Sequence, residues 1–530
     1  MTSVSFFGGI GSVGGNCILI EHGEYRIMLD NGMNFPSEGR YYKDFLMPRT
    51  GNDLRDYLTL DLVPKIPGIY AKAMIRDLCI DSMDSSVQYM YDASLQSYED
   101  YLKEHGCPFI DGFFITHAHV DHVRNLQFMA PQIPTFMSEL TKKMLEVMGE
   151  VSKIDFLHLH PNTLAEYGDM SYFPGTIKKA RNSIERDIYV VHPGESRILG
   201  DISVTGFPVD HSIPGAMAFR VEAGGKTIIY TGDIRFHGVE QESNNSFHFV
   251  EMMEKMGMND VLITEGTRIR SEEGESEQSV YERALGFLTA SDEQDNAFIF
   301  ASFPWKSIAR FLTVYRLARK VGRTLVIQPK LAYLLHKIRK SEILMGINIL
   351  RNEDIRIYQP RKLSMLYSDG DYIFKKEIIS PDSNWDKTTK EYIFYRDLYG
   401  NSKHVRAPEI HHSPGKFIVH LDYYDLNELI DLDPRSAGGC FLHLKTEPFD
   451  EEMEISQSIL ENWIEKFNLQ MEIFHASGHA SGSDLIAMIH KIRPDVIFPV
   501  HTEHPDLFQE KLGGNFRVMS EIQEGKKYLV

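Results

Sequence analysis

Three histidines and an aspartate fall within six residues, His117-Ala-His119-Val-Asp121-His122, directly after the apolar run Phe113-Phe-Ile-Thr116. Packing does not explain such a cluster, because every buried imidazole or carboxylate needs a polar partner of its own. A divalent cation satisfies several at once. Donors of this kind suit Zn²⁺, with Mn²⁺ the alternative where carboxylates contribute. The alternating H-x-H sends two side chains to the same face, and Asp121 with His122 at the following turn can serve a second ion. Two ions about 3.5–4 Å apart activate a water as nucleophile and offset charge building on phosphorus or a carbonyl carbon. The local donors are too few for two ions, so others must arrive from other strand ends. Asp210-His211 follows the β-rich run Ile202–Phe207, Thr231-Gly-Asp233 ends Lys226–Tyr230, and Pro499-Val-His501 ends Val496-Ile-Phe.

The rest of the chain is read for a fold able to collect those ends. Val4-Ser-Phe-Phe, Asn16–Glu21 and Tyr25–Asp30 are short β-rich runs broken by glycine, which predicts an antiparallel meander. Residues 31–110 read as an elaborated insertion, with helices expected at Leu54–Leu60 and Tyr70–Leu78. After Glu265 the texture changes: an acidic helical stretch Ser271–Asp295, a strand Ala297–Ser302, a helix Ile308–Val321 and a strand Thr324–Gln328 predict a parallel α/β unit. Residues 341–416 give no ordered pattern. From Cys440 strand and helix alternate again, with Ile459, Trp463, Ile464 and Phe467 at helical spacing.

Several classes are excluded. Gly9-Ile-Gly11-Ser-Val-Gly14 matches the dinucleotide fingerprint in form, but it opens into a strand where that site needs a helix N-terminus, so no nucleotide cofactor is expected. No apolar run reaches the ~18 residues of a membrane-spanning helix, and the N-terminus lacks the pattern of a secretory leader. The four cysteines have no dense spacing, which predicts a reducing, cytoplasmic setting. A net charge of −19 opposes a surface that grips polyanions everywhere. The acid-free stretch from Phe303 to Lys340, which carries Lys306, Arg310, Arg316, Arg319, Lys320, Arg323, Lys330, Lys337, Arg339 and Lys340, is expected either to wall a local groove or to pair with acids from elsewhere. His158 and His160, preceded by Asp155, are expected to be structural, and no ligand role is assigned to His237, His411, His412, His420 or His443. His475, four residues before His479, is a candidate to line the cleft.

Taken in order, Gly8–Gly15 before Asn16, Leu29-Asp30-Asn-Gly-Met, Thr116–His122, Asp210-His-Ser-Ile-Pro214, Thr231-Gly-Asp-Ile-Arg-Phe236, Ile263-Thr-Glu265, Ala476-Ser-Gly-His479 and Pro499-Val-His-Thr-Glu503 resemble the metallo-β-lactamase fold. Within it they resemble the β-CASP nucleases, the ribonuclease J group above all. The resemblance implies an αββα sandwich with an inserted α/β domain: residues 1–270 as the first part, 271–440 as the β-CASP insertion and 441–530 as the second part. It implies His117, His119 and His211 on one ion, Asp121, His122 and His501 on the other, Asp233 bridging, and Asp30 orienting a ligand imidazole. Glu265 and His479 match the motifs that set β-CASP proteins apart, with the histidine assisting the leaving group or stabilising the transition state and Asp121 counted with them as catalytic. A pairing with Glu265 would raise the pKa of His479. Ser477, Gly478, Lys306 and Arg310 are the expected substrate contacts. A histidine at the last motif, here His501, goes with relatives acting on RNA.

The chain also departs from that group. The segment between Asp30 and His117 is longer. Where ribonuclease J carries a Gly/Ser-rich phosphate-contacting stretch, this chain has Val419-His-Leu-Asp-Tyr-Tyr-Asp-Leu, an acidic and aromatic loop that makes a poor phosphate cradle. It ends 29 residues after His501, so the extra C-terminal domain and its dimer contacts are not expected, and a homo-oligomer is left open. The expected function is a two-metal hydrolase of single-stranded RNA, with a small-molecule ester, thioester or lactam hydrolase of the same fold as the alternative.

Overall fold

The computed structural model describes residues 1–43, 45–49, 53–76, 80–82, 84–151, 154–160, 183–272, 274–290, 296–344, 346–347, 352–361, 369–372, 403–446 and 451–530. The glycine-punctuated N-terminus forms the meander its pattern predicts: Thr2–Gly8, Cys17–His22 and Tyr25–Asn31 pair antiparallel. Gly112–Phe114, Thr135–Met137 and Ile188–Val190 then add in parallel, completing a first seven-stranded sheet with Tyr528–Leu529 at its other edge. A second sheet runs Arg517–Val518, Val496–Val500, Val261–Glu265, Lys226–Tyr230, Met217–Ala223, Ile202–Pro208, Ser196–Leu199.

Alternation along the strands explains how the two sheets stack. Successive residues of a strand point to opposite faces. Ile18, Ile20, Ile27 and Leu29 therefore meet Val204, Phe219, Ile228 and Phe498 between the sheets. Their neighbours Cys17, Leu19 and Met28 face outward, onto Leu54, Tyr57, Met144 and Leu145 of the covering helices. On the far side Ile229, Leu262 and Ile497 pack against Phe249, Met253, Leu485 and Met488. Each large apolar side chain so buried stabilises the fold by about 1.5–3 kcal/mol before entropy is counted. The result is the expected αββα sandwich.

A third seven-stranded sheet is wholly parallel, in the order His404–Val405, Ile355–Tyr358, Thr324–Ile327, Phe417–His420, Phe298–Ser302, Gly439–His443, Gln470–Ile473. This corrects one expected boundary. The expected boundary at 440 gives the strand ending at His443, the helix Glu451–Lys466 and the strand Gln470–Ile473 to the second part of the sandwich. The two strands instead pair in the third sheet, and the chain returns to the sandwich only after Ile473. Strand–helix–strand texture is identical on both sides of such a crossing, so periodicity alone places it wrongly. Much of 341–416 and the end of the Ser271–Asp295 stretch lie outside the described residues; the helix within the latter spans Glu277–Thr289. The expected helix at Tyr70–Leu78 is a single turn, Lys72–Ile75, with 77–78 outside the described residues. No helix among the described residues is long and apolar enough to cross a membrane.

Candidate metal centre

Strands of both sandwich sheets deliver their C-terminal ends to one edge. Gly112–Phe114 leads through Thr116 to His117; Ile202–Pro208 leads to Asp210 and His211; Lys226–Tyr230 leads to Asp233; Val496–Val500 leads to His501. The turns at this edge use unusual backbone. Asp30 and His501 both sit at φ +53°, a left-handed conformation that costs an ordinary residue about 1–2 kcal/mol and is retained where a side chain must be aimed. The His501 N–H donates to the Gly9 carbonyl at 2.8 Å, which holds that turn against the N-terminal glycine loop. At Gly32 a Cβ would collide with the Asp121 backbone, so only glycine lets the ligand loop approach so closely.

The two expected donor sets assemble around a single oxygen. His117, His119, His211 and Asp233 form one group, and Asp121, His122, Asp233 and His501 the other, with ligand atoms within 4.8 Å of one another in each. Asp233 Oδ2 lies 3.7 Å from His117 Nε2, 3.6 Å from His211 Nε2, 3.2 Å from His122 Nε2 and 3.7 Å from His501 Nε2. His119 Nδ1 stands 3.1 Å from His117 Nε2 and 3.0 Å from His211 Nε2. His501 Nε2 is 3.1 Å from Asp121 Oδ2.

Four of the imidazoles are held by their other nitrogen, which fixes both tautomer and aim. His122 Nδ1 donates to Asp30 Oδ2 at 2.8 Å, as expected of Asp30. His211 Nδ1 donates to the Gly478 carbonyl at 2.6 Å, His501 Nδ1 meets Thr267 Oγ1 at 2.8 Å, and His117 Nδ1 meets Thr116 Oγ1 at 3.0 Å. Asp30 is itself locked by Thr116 N, Thr116 Oγ1 and the Tyr230 hydroxyl. Thr116, Tyr230 and Thr267 were not singled out in the sequence. Thr116 and Tyr230 sit one and three residues before a ligand, a position that marks a strand end but not a role.

The residues fit divalent cations. His122 Nε2, 3.2 Å from Asp233 Oδ2, and the other carboxylate oxygen, Asp233 Oδ1, are buried with no hydrogen-bond partner. Burial opposes a proton on His122, yet Asp233 and Asp30 hold its pKa well above the ordinary imidazole range. Burial and the imidazoles around them hold His117 and His119 well below that range, and burial brings His211 down to about 3. Positive charge is therefore favoured between the carboxylates, while His117, His119 and His211 present lone pairs. Five imidazoles and two carboxylates form a nitrogen-rich set of the kind zinc takes.

Beside this set stand Glu265 and His479. Glu265 is fully buried, and its Oε2 accepts from His479 Nδ1 at 3.0 Å, which also lies 3.9 Å from Asp233 Oδ2. Burial lowers the pKa of His479, but the charges of Glu265 and Asp233 outweigh it and raise it to about 9. The imidazole remains 21% exposed, so a ligand can reach its free edge.

The expected substrate contacts divide. The half-buried Lys306 lies on the inserted unit, where its charge is felt by both His119 and Asp121. Arg310 does not fit the role. It is 3% exposed, and its guanidinium is spent on Glu277 and on the carbonyls of Leu444, Phe474 and Ala476. The Gly478 carbonyl is committed to His211, and Ser477 turns its carbonyl to Arg235 and His237. Nor does the basic stretch wall a groove as a whole. Arg319 pairs with Asp354, Lys337 with Glu146 and Glu150, Arg316 stacks over Tyr281, and Arg323 binds the carbonyls of Ala297 and Phe417. His158 and His160 both bind Asp155, the structural pairing expected of them.

Residues 91–293 match the model of the beta-lactamase superfamily domain, and 465–518 match that of the Zn-dependent metallo-hydrolase RNA specificity domain. The first span holds His117 to His122, His211, Asp233 and Glu265; the second holds His479 and His501. Ribonuclease J from three strains of Helicobacter pylori is 25% identical over 230 residues, which is 43% of this chain and 22% of the relatives' length. The chain thus matches only a minor part of those proteins. A crystal structure of a protein of unknown function from Enterococcus faecalis superposes over 100% of both chains with a TM-score of 0.66 at 19% identity, a likeness of fold. With both matched spans meeting at one histidine- and aspartate-lined edge, the chain resembles the metallo-hydrolases of the β-lactamase superfamily and, among them, the β-CASP nuclease ribonuclease J.

Proposed function

We propose that this protein hydrolyses phosphodiester bonds of single-stranded RNA at the Asp233 centre. The observation that carries the reading is the His479–Glu265 pair, a proton donor held against the shared oxygen of two ligand sets. The match of 465–518 to an RNA specificity domain and the likeness to ribonuclease J support RNA as the substrate class.

In this reading His117, His119, His211 and Asp233 hold one divalent ion, and Asp121, His122, His501 and Asp233 the other, with Zn²⁺ the ion proposed. When bound, such a pair supplies an activated water and offsets the negative charge that develops on phosphorus. The chain does the remainder. Asp30, Thr116, Thr267 and the Gly478 carbonyl keep the imidazole tautomers fixed, so no reorganisation is needed as charge develops. Lys306 binds a phosphate oxygen from the side of the inserted unit. As the water oxygen bonds to phosphorus and the leaving oxygen departs, Asp121 takes the water's proton and His479 gives one to the leaving oxygen. Glu265 keeps His479 protonated at neutral pH.

Purified protein supplied with Zn²⁺ or Mn²⁺ is expected to degrade single-stranded RNA, and His119→Ala to abolish this. Product lengths from end-labelled 5′-monophosphate and 5′-triphosphate RNA then establish whether cleavage depends on the end. Absence of turnover with either metal contradicts the proposal.

A further inference from the structure

The buried Arg310 and Glu277 belong to the inserted unit, yet the groups they grip lead to the metal centre. Glu277 opens the helix Glu277–Thr289, and Arg310 lies in the helix Ile308–Lys320. Two guanidinium nitrogens of Arg310 meet the Glu277 carboxylate at 3.1 Å each, and Thr313 Oγ1 donates to the same carboxylate at 2.9 Å. The remaining N–H groups of Arg310 run to backbone: Leu444 O at 2.6 Å, Phe474 O at 3.3 Å and Ala476 O at 3.2 Å. A second cation continues the series. Arg235 binds Asp210 at 2.8 Å, lies 3.7 Å from Glu277 and donates to Ser477 O at 3.3 Å. His237 Nε2 also donates to Ser477 O, at 3.0 Å, and His211 Nδ1 takes Gly478 O.

The carbonyls of Phe474, Ala476, Ser477 and Gly478 are thus each gripped by a cation or an imidazole, and the next residue is His479. Its own N–H donates to Ser477 Oγ at 3.1 Å, and the Ala480 N–H donates to Ile234 O at 2.7 Å. Beyond the Phe474 N–H, which donates to His443 O at 3.0 Å, the segment has no strand partner among the described residues; the strand before it ends at Ile473, and the helix beyond starts at Gly482. Side chains replace the ladder that a strand would have used.

A buried ion pair is costly unless every donor and acceptor is used, and breaking one partner leaves a stranded charge. Here Arg310 is spent on Glu277 and on the carbonyls of Leu444, Phe474 and Ala476, while Glu277 holds Arg310, Thr313 and, at 3.7 Å, Arg235. We propose that Arg310 and Glu277 are positioning residues for His479: together with Arg235 they form a carbonyl clamp that sets its placement against Asp233 and ties the inserted unit to the metal centre. The clamp deepens the proposed hydrolytic function and rests on it where activity is the readout. A substrate that draws the inserted unit toward the centre would move His479 with it.

Two measurements test this, and one is independent of turnover. Amide hydrogen exchange of Glu277→Gln and Arg310→Lys is expected to speed up at least about tenfold at residues 477–481, while the amides of 113–117 keep wild-type protection. Unchanged exchange at 477–481 overturns the clamp whatever the substrate. Kinetically, Arg310→Lys is expected to lower kcat about 100-fold with little change in KM. In a His479→Ala background the same change is expected to cost almost nothing more, because the two act as a unit. Equal losses in both backgrounds overturn the clamp. A wild-type protein that cleaves no RNA rejects the function instead, leaving the exchange experiment to decide the clamp.

Discussion

Two edges of this molecule collect polar residues at the C-terminal ends of strands, and they differ in how the charged ones are answered. At the sandwich edge the donors face one another around Asp233 Oδ2, and Asp233 Oδ1 and His122 Nε2 are buried with no hydrogen-bond partner. At the edge of the third sheet the charged groups are answered within the protein: Lys445 pairs with Asp422, and in the neighbouring helices Arg310 pairs with Glu277, while the buried unpartnered Nδ1 atoms of His420, His443 and His475 have no carboxylate at their centre. The first arrangement invites a cation from solution. The second fixes backbone. Charged residues alone do not mark a site; buried polar atoms left unpaired around a common point do.

That contrast breaks most easily at His479, which sits where the two regions meet. His479→Ala is expected to lower kcat by about 10²–10⁴ while leaving bound metal unchanged, as for loss of a general acid. A variant that loses metal as well would move His479 into the ligand set. The pair with Glu265 sharpens the assignment through pH. His479 is protonated below about 9, so the rate should hold through neutrality and fall as pH rises through that value. Glu265→Gln removes the charge that raises this pKa, and the alkaline limb should move to lower pH by about one unit or more. An unmoved limb removes the pairing from the mechanism.

Smaller effects separate the cations. Lys306→Ala is expected to raise KM about tenfold, since it removes the proposed charge-assisted contact to phosphate. Arg319→Ala, from the same basic stretch, removes an exposed pair with Asp354 and should change activity less than about twofold and stability by ~0.5 kcal/mol or less. Equal effects of the two would restore the basic stretch as a continuous substrate wall.

The sandwich and its donor ends were legible because metal chemistry needs rare residue types at strand ends. His117 to His122, His211, Asp233 and His501 stand out in one sequence, and the fold brings all seven together. Asp30 was legible for the same reason. The supports were not. Thr116, Tyr230 and Thr267 act through single hydroxyls, and the Gly478 carbonyl exists at any residue. Arg310 was misread as a substrate contact because a buried arginine and an exposed one look alike in sequence. Its partner Glu277 is 33 residues away, on another helix. The strands at Gly439–His443 and Gln470–Ile473 were placed in the wrong sheet because parallel α/β texture carries no record of which sheet a strand joins.

Two cations sharing Asp233 are the centre of the proposed chemistry. Metal content of the purified protein after zinc loading, measured by mass spectrometry beside Asp233→Ala and His501→Ala, tests this without reference to any substrate. About two equivalents in the wild type, falling to about one in His501→Ala and to one or fewer in Asp233→Ala, is the expected result. A wild-type protein that binds no more than one ion, or an Asp233→Ala variant that keeps both, contradicts it.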